Sequence, residues 1–261
     1  MRVVLILIAL GAVLAPLLAP APSRAADLSG HVSIEIPDTV SGPAPVVIFL
    51  SGCGGVRQVQ TNYAQAALSA GWAPVIVDSH AARGIGALGA RLTVCTGLRM
   101  RGAARASDIF AVIETVQADP RLDAGRIVLT GWSHGGWTIL DALALARSEG
   151  DDRLSGVEAA YLLYPYCGVL SLADTAPIGE AVNVTMVLAG RDRVVSAEAC
   201  RALAAARRGE GAAITVIEEP ELTHAFDAPD QPAFDPRNRY DAAGAARAEA
   251  RFIDVLNRAQ G

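Results

Sequence analysis

Short, continuous runs of apolar residues recur along the chain after residue 26, and segments with helical spacing separate most of them. The runs at 45–50, 73–78 and 125–131 are rich in β-branched and other apolar residues, which is typical of strands buried on both faces of a sheet. The segment at 31–37 alternates polar and apolar positions, which predicts a half-buried strand. Strands that alternate with helices predict an α/β fold, with a mostly parallel sheet and helices on both faces.

The remaining predicted elements continue this alternation to the end of the chain. No linker, repeat or low-complexity segment divides it after residue 26, and 261 residues are enough for one sizeable core. We therefore predict a single domain over residues 26–261. Further strands are predicted at 157–165, 183–190 and 212–219, and helices at 62–71, 104–117, 136–148, 196–208 and 242–258.

Residues 1–25 have the pattern of a secretory signal peptide. Arg2 precedes a long apolar run, and Ser23 and Ala25 supply small residues at a cleavage site. We therefore predict cleavage near Ala25 and an exported protein, periplasmic or secreted, with no stable membrane anchor after cleavage. The alternative is an anchor that stays attached, but Pro16 interrupts the run and Asp27, rather than a basic residue, follows it.

Charge and composition exclude several partners and chemistries. The formal net charge is −5 and no basic stripe is present, so we predict no nucleic-acid partner. All 22 basic residues are arginine, which excludes every mechanism that needs a lysine and leaves histidine or a carboxylate as a base. The G-x-G-x-x-G pattern at 84–89 does not come directly out of a strand, so it predicts a flexible loop rather than a dinucleotide site. We expect no organic cofactor.

Four cysteines are present, at positions 53, 95, 167 and 200. They contain no C-x-x-C pair, so we predict no metal site. In an exported protein they are expected to form disulfides, and four cysteines allow three pairings. The residue pattern alone does not choose among these pairings.

Ser133 is the candidate nucleophile. It lies in the G-x-S-x-G pattern at 131–135, directly after a predicted buried strand and at the start of a predicted helix. In that context the pattern is typical of a nucleophile elbow, a tight turn that lifts the serine hydroxyl clear of the backbone. The alternative is a helix N-cap, a position that serine also favours.

His224 is the preferred base among four histidines. It follows the last predicted strand, and elbow chemistry runs in the chain order serine, acid, histidine. His80 follows the strand at 73–78 and is the alternative base or a residue lining the pocket. His31 is expected at the surface, and His134 is expected to contribute its backbone N–H rather than its ring.

Asp192 is the candidate acid because it lies between Ser133 and His224 and follows the strand at 183–190. Its role would be to orient the imidazole and to stabilise the imidazolium. Asp141 lies inside a predicted helix and Asp174 follows a less regular stretch, so both fit less well. The alternative for Asp192 is a turn residue.

Two backbone N–H groups are candidates for an oxyanion hole, the set of donors that stabilises negative charge on a carbonyl oxygen. One is the N–H of His134, directly after the nucleophile, and the other comes from the glycine-rich loop after the strand at 45–50. We assign the second donor to Cys53, with Gly52 as the alternative. Cys53 is not expected to be a nucleophile, because no elbow holds it.

Five stretches in this order resemble the dienelactone hydrolase family of α/β-hydrolases, and the likeness covers nearly the whole mature chain. They are LSGCGG, VDSHAARG, GWSHGG, AGRDRVV and THAFD. The resemblance implies an α/β-hydrolase fold with an eight-stranded sheet and hydrolysis of an ester, lactone or related acyl bond. It also implies a small-molecule ester-like substrate and supports the roles of Ser133, Asp192 and His224. It leaves the oligomeric state open.

Three positions depart from the family pattern. Dienelactone enzymes use a cysteine where this chain has Ser133, and relatives with an HGCGG motif have a histidine where it has Ser51. The same enzymes hold a substrate carboxylate with two arginines, of which Arg83 matches one, whereas Ala228 stands at the other position. These departures argue against dienelactone as the substrate, while His80 and Arg83 remain candidates for substrate binding.

The sheet order that the resemblance implies also suggests the disulfide pairing. It places the strands at 45–50 and 73–78 side by side, so Cys53 is expected to pair with Cys95. It likewise makes the strands at 157–165 and 183–190 neighbours, so Cys167 is expected to pair with Cys200. Four buried free thiols are the alternative.

Two other functions compete with an exported serine hydrolase of esters. One is a serine peptidase acting on short peptides, since such enzymes also use an elbow, although this chain has no extra domain to position a peptide. The other is a non-catalytic exported binding protein that retains the fold. Reaction with a fluorophosphonate discriminates the last from either enzyme, because only an activated serine forms an adduct.

Overall fold

The computed structural model describes residues 26–231 and 235–260, so the predicted signal peptide at 1–25 lies outside the described residues. Within them, seven strands form one sheet in the order β1-β3-β2-β4-β5-β6-β7. The strands are β1 (Val32–Ile34), β2 (Ala44–Leu50), β3 (Ala73–Val77), β4 (Leu122–Trp132), β5 (Val157–Leu163), β6 (Asn183–Ala189) and β7 (Ile214–Glu219).

The sheet is mostly parallel, and only β1 runs antiparallel to its neighbour, β3. The carboxyl ends of the six parallel strands therefore meet at one margin of the sheet, which we call the carboxyl edge. Eight strands were expected and seven are found in the described part. The described residues before β1 form a turn, in which the N–H of His31 donates to the carbonyl of Leu28 at 2.9 Å.

Helices cover both faces of the sheet because successive strand residues point to opposite sides. In β2, Val46 and Ile48 pack on the face covered by α2, α3 and α4, whereas Val47 and Phe49 pack on the face covered by α1 and α5. The helices are α1 (Gln58–Ser69), α2 (Gly102–Ala118), α3 (His134–Glu149), α4 (Ala197–Gly209) and α5 (Ala242–Arg258).

Two predicted segments differ in the structure. Of the predicted strand at 31–37, only Val32–Ile34 forms a strand, and this strand, β1, is the outermost of the sheet. The glycine-rich segment at 84–89 was expected to be a flexible loop, but it begins a short helical turn at Ala87–Gly89 that continues as a wider turn at Ala90–Val94. Ile85 and Val94 are buried there, and this small apolar cluster accounts for the ordered turn. No helix in the described ranges is long and apolar enough to cross a membrane.

Candidate active site

Ser133 lies at the sharp turn between β4 and α3. Its backbone has φ 50° and ψ −108°, a conformation that a residue with a side chain rarely adopts. The Ser133 N–H donates to the carbonyl of Leu163 at 2.9 Å, and its own carbonyl accepts from the N–H of Trp137 at 3.0 Å. The turn is therefore fixed from both sides, and the hydroxyl stands beside the N-terminus of a 16-residue helix, where the helix dipole is positive.

Two glycines allow this turn to fit against the neighbouring chain. A Cβ at Gly135 would lie 2.0 Å from the carbonyl oxygen of Leu50, and a Cβ at Gly131 would lie 2.6 Å from the backbone of Gly135. Both distances are far below van der Waals contact, so no side chain fits at either position. The G-x-S-x-G pattern thus reflects close backbone approach on both sides of Ser133.

A chain of hydrogen bonds joins Asp192, His224 and Ser133. The Nδ1 of His224 lies 2.7 Å from Oδ2 of Asp192, and its Nε2 lies 3.0 Å from Oγ of Ser133. The other carboxylate oxygen of Asp192 accepts from the N–H groups of Val194 and Val195 at 2.8 and 2.9 Å. These contacts fit a neutral imidazole with its proton on Nδ1, so that Nε2 can accept the serine proton.

Neither alternative acid takes this position. Asp141 is buried in α3 and accepts from the hydroxyl of Ser171 and the N–H of Leu172, each at 2.7 Å. Burial raises the pKa of Asp141. Asp174 lies on an exposed 3₁₀ turn. His31 is half-buried at the start of the edge strand.

A second buried carboxyl group, Asp227, supports the histidine. It accepts from the Tyr164 hydroxyl at 2.6 Å and from Nε1–H of Trp132 at 2.9 Å. The ring of Tyr164 packs on the His224 ring with centroids 4.7 Å apart. Burial raises the pKa of Asp227, and the two donated bonds oppose that rise. We call Asp227, Tyr164 and Trp132 the base-side cluster.

The loop at 51–54, which we call the oxyanion loop, passes beside Ser133. A side chain at Gly52 would lie 3.7 Å from the Cβ of Ser133. In the described part of the chain, the N–H groups of Gly52, Cys53 and His134 donate to no protein acceptor. These groups are available to a negatively charged ligand atom, which is what an oxyanion hole requires.

His80 and Arg83, the candidates for substrate contacts, both bond to other groups of the protein. His80 is buried and its Nε2 lies 2.9 Å from the carbonyl of Cys53. Burial, with a smaller effect of Arg105, lowers the pKa of His80 to about 4. Arg83 forms two bonds of 2.8 Å with the carboxylate of buried Asp108. Each side chain already has a partner within the protein.

Arg105 is a functional-site residue that the sequence pattern did not reveal. It is fully buried in α2 and bonds to the Ser51 carbonyl at 2.7 Å and to Nδ1 of His134 at 3.2 Å. The His134 Nε2 lies 2.7 Å from the carbonyl of Met100, so this ring donates from Nε2 and accepts at Nδ1. Burial and the neighbouring Arg105 hold the pKa of His134 well below its usual range.

Both expected cysteine pairs are present as disulfides. Cys53 bonds to Cys95 and Cys167 bonds to Cys200, each with Cα atoms 5.0 Å apart. The first bridge ties the oxyanion loop to the segment at 84–101. The second ties the loop after β5 to α4, the helix that follows the neighbouring strand β6.

Backbone strain is concentrated at the site. Within the described ranges, four residues other than glycine have a positive φ, and all four belong to the site or contact it. Ala225 follows His224 directly, Tyr164 stacks on its ring, and Met100 accepts the His134 bond. Such conformations cost about 1–3 kcal/mol each and cluster where structure serves function. The fourth is Ser133.

Exposed large apolar side chains lie on the segments that leave the carboxyl edge. Of the eight in the described part, seven lie on the segments that follow β2, β3, β5 and β6, and the eighth, Tyr240, lies directly before α5. Leu98 and Val169 are the most exposed, at 78% and 86%. We call these seven the apolar rim. Its members are Val56, Leu88, Leu92, Leu98, Val169, Leu170 and Val194.

No group of three or more His, Cys, Asp or Glu residues in the described ranges is arranged to hold a metal ion. The site therefore consists of a serine hydroxyl, an imidazole with its carboxylate, and free backbone N–H groups. This set can carry out nucleophilic acyl transfer, with the imidazole as proton carrier.

The comparisons with known proteins agree with this architecture. Three solved structures have TM-scores of 0.72, 0.65 and 0.59 and identities of 19%, 16% and 14%. The match covers 87%, 87% and 85% of this chain and 91%, 88% and 94% of theirs. They are a dienelactone hydrolase-like promiscuous phosphotriesterase from metagenomic libraries, esterase 2 of Thermogutta terrifontis phosphonylated by cyclosarin, and Est1E of Butyrivibrio proteoclasticus with ferulic acid bound.

At these identities the neighbours establish the fold. No curated protein matches the chain. The model of the dienelactone hydrolase family matches residues 31–260, which is nearly all of the part after the predicted signal peptide. The chain therefore belongs to the dienelactone hydrolase family and is a hydrolase of the carboxylic-ester type.

Proposed function

We propose that this protein is an exported serine hydrolase that cleaves an ester, lactone or related acyl bond through an acyl-enzyme. The observation that carries the proposal is the bonded chain from Asp192 through His224 to Ser133, with 2.7 and 3.0 Å between the bonded atoms. Export is supported by the signal-peptide pattern at 1–25 and by two disulfides, since such bonds persist in oxidising compartments.

Acylation follows from this geometry. Oγ of Ser133 attacks the carbonyl carbon while its proton moves to Nε2 of His224, and the carbonyl oxygen becomes an oxyanion. The N–H groups of His134 and of Cys53 or Gly52 donate to that oxygen. When the tetrahedral intermediate collapses, the bond to the leaving alkoxide breaks and the imidazolium returns the proton to it.

Deacylation repeats the cycle with water. His224 takes a proton from water, the resulting hydroxide adds to the acyl carbon, and the second tetrahedral intermediate expels Oγ of Ser133, which regains its proton from the imidazolium. Asp192 keeps the imidazole in the required orientation and stabilises its charged form without taking the proton. The products are a carboxylic acid and an alcohol, or a hydroxy acid from a lactone.

The apolar rim indicates the kind of substrate. Exposed apolar side chains that gather on one side of a domain usually mark a surface that binds an apolar partner. Here seven of them lie on segments that leave the carboxyl edge, where Ser133 also lies. We therefore expect esters with bulky or extended apolar groups to be preferred over acetate. Rates on p-nitrophenyl esters of increasing chain length, beside an aminoacyl p-nitroanilide, measure this preference and separate an esterase from a peptidase.

Active-site labelling is the direct test. A fluorophosphonate should add once to the wild-type protein, at Ser133, and the adduct can be located by peptide mass spectrometry. Ser133→Ala should abolish both labelling and ester turnover, and His224→Ala should do nearly the same. Ser171→Ala, which changes a buried serine outside the bonded chain, is the matched control and should remain active.

Two results would overturn the proposal. A folded Ser133→Ala variant that keeps more than roughly a tenth of the wild-type kcat would exclude this nucleophile. A wild-type protein that neither labels nor turns over any ester would indicate a binding protein that has retained the fold.

A further inference from the structure

The guanidinium of Arg105 is a buried positive charge without a carboxylate partner. Within the described residues no carboxylate lies at salt-bridge distance, and Asp108, one turn along the same helix, is occupied by Arg83. The contacts of Arg105 are uncharged: its Nε donates to the Ser79 hydroxyl at 2.9 Å and its Nη2 to the Ser51 hydroxyl at 3.2 Å. Burial lowers the pKa of Arg105 to about 10, so the group remains protonated at neutral pH.

An uncompensated buried ion is costly, and a neutral apolar side chain would usually fill the same space at less cost. The location of Arg105 offers a reason for keeping the charge. One nitrogen, Nη1, donates both to the carbonyl of Ser51 and to Nδ1 of His134. It therefore joins the two segments that supply the proposed oxyanion donors.

The geometry points to Arg105 as the positioning residue of the oxyanion hole, which fixes the oxyanion loop against His134 and supplies positive charge behind the developing oxyanion. This inference rests on the proposed function. The planar guanidinium can hold several acceptors in a fixed arrangement, which a lysine ammonium on a flexible stem cannot do.

The Ser51 carbonyl belongs to the same peptide unit as the Gly52 N–H. A charged donor on that carbonyl polarises the unit and strengthens its N–H as a donor. Of the two candidates on the loop, Gly52 is the one that Arg105 strengthens directly. His80 has a similar contact two peptide units later, on the Cys53 carbonyl, whose unit contains the Gly54 N–H.

Arg105→Met tests the inference because methionine fills much of the space and removes the charge. We expect kcat on a p-nitrophenyl ester to fall about 100-fold, in the range found for loss of one oxyanion donor, with KM within about threefold of wild type. Affinity for a trifluoromethyl ketone, which adds to the serine and forms an alkoxide, should fall in parallel. Arg105→Lys should give an intermediate result.

Arg207→Met is the matched control. Arg207 is also a largely buried arginine, but it lies near the end of α4 and pairs with Glu210. Its loss should lower the melting temperature and leave kcat unchanged. If Arg105 had only a structural role, Arg105→Met would behave in the same way. Measuring kcat at one temperature below the melting points of both variants therefore distinguishes a positioning role from a structural one.

A folded Arg105→Met variant with kcat and ketone affinity within threefold of wild type would overturn the inference. Should that variant not fold, Arg105→Lys decides by the same two measurements. If the wild type labels at Ser133 and turns over ester while the Arg105 variants are unaffected, only the role of Arg105 fails. If the wild type neither labels nor turns over ester, the proposed function fails first.

Discussion

The two sides of Ser133 are built from opposite kinds of charge. On the side of His224 lie two buried carboxyl groups, Asp192 and Asp227, and on the side of the oxyanion loop lies the buried guanidinium of Arg105. Acyl transfer separates charge in the same direction, because the imidazole becomes positive while the carbonyl oxygen becomes negative. The site is therefore arranged for the charges that arise during the proposed reaction.

The two sides also differ in how their groups are held. Asp192 and His224 contact each other and the nucleophile directly, at hydrogen-bond distance. The oxyanion loop is held by groups that do not themselves bond to the nucleophile: Arg105, His80 and the Cys53–Cys95 disulfide. We therefore expect single substitutions to have large effects on the His224 side and smaller, graded effects on the loop side.

The largest effect is expected from Asp192→Asn. Asparagine can retain the shape, but it favours the wrong imidazole tautomer and does not stabilise the imidazolium, so kcat should fall about 10⁴-fold with a small residual activity. Asp174→Asn, which changes the exposed alternative acid, is the control. Steady-state rates on one ester measure both, and equal activity of the two variants would remove Asp192 from its role.

Acid sensitivity of folding is the next effect in size. The pKa of His80 is lowered to about 4, so the unfolded chain binds more protons than the folded one between about pH 6.5 and 4. The associated stability is present above pH 6.5 and is lost as pH falls towards 4, by about 2 kcal/mol between pH 7.5 and 5.

The lowered pKa of His134 adds to this loss in the same direction. Urea unfolding at several pH values should show a flatter pH dependence for His80→Gln than for wild type. Parallel curves for the two proteins would mean that His80 titrates equally in the folded and unfolded states.

A smaller effect is expected from Asp227→Asn, because this residue acts on His224 only through Tyr164. Its loss disturbs the bonds donated by Trp132 and Tyr164, and we expect kcat to fall about tenfold, an effect of one misplaced positioning group. Tyr164→Phe removes one of those bonds and retains the ring on His224, so it should retain more activity. If Asp227→Asn lowers kcat as much as Asp192→Asn does, the distinction between direct and indirect support of His224 is wrong.

The two disulfides provide the mildest comparison. The two cysteines of the first bridge are 42 residues apart along the chain, and those of the second are 33 residues apart. The entropic contributions of the two bridges to stability should therefore agree within a few tenths of a kcal/mol. The double variant Cys53→Ser/Cys95→Ser should lower kcat about fivefold, because Arg105 and His80 still hold the loop. Cys167→Ser/Cys200→Ser should be similarly destabilised but more active, and the reverse order would show that the first bridge does not support the site.

Much of this site could be predicted from the sequence because its members follow parallel strands of the sheet. Ser133, Asp192 and His224 each come shortly after such a strand, and parallel strands end at the same edge. The oxyanion loop follows the same rule. The alternation of apolar runs with helical segments, together with the G-x-S-x-G pattern and the chain order serine, acid, histidine, was enough to select these residues.

The supporting residues could not be found in this way. Arg105 lies within a helix, and burial of an arginine depends on tertiary contacts that spacing does not encode. One signal was present: between Ser79 and Ser107 the chain has five arginines and no acidic residue. The ion pair of Arg83 could not be anticipated either, because its partner Asp108 is 25 residues away along the chain.

The backbone of Ser133 has an evolutionary consequence. A glycine would adopt its φ of 50° without the strain that serine bears, and about 1–3 kcal/mol is a large share of a domain's net stability of about 5–15 kcal/mol. Selection for folding alone would therefore favour glycine at this position. Descendants that lost the need for turnover but kept the fold should accumulate the substitution Ser133→Gly, and a serine retained there records selection for chemistry against stability.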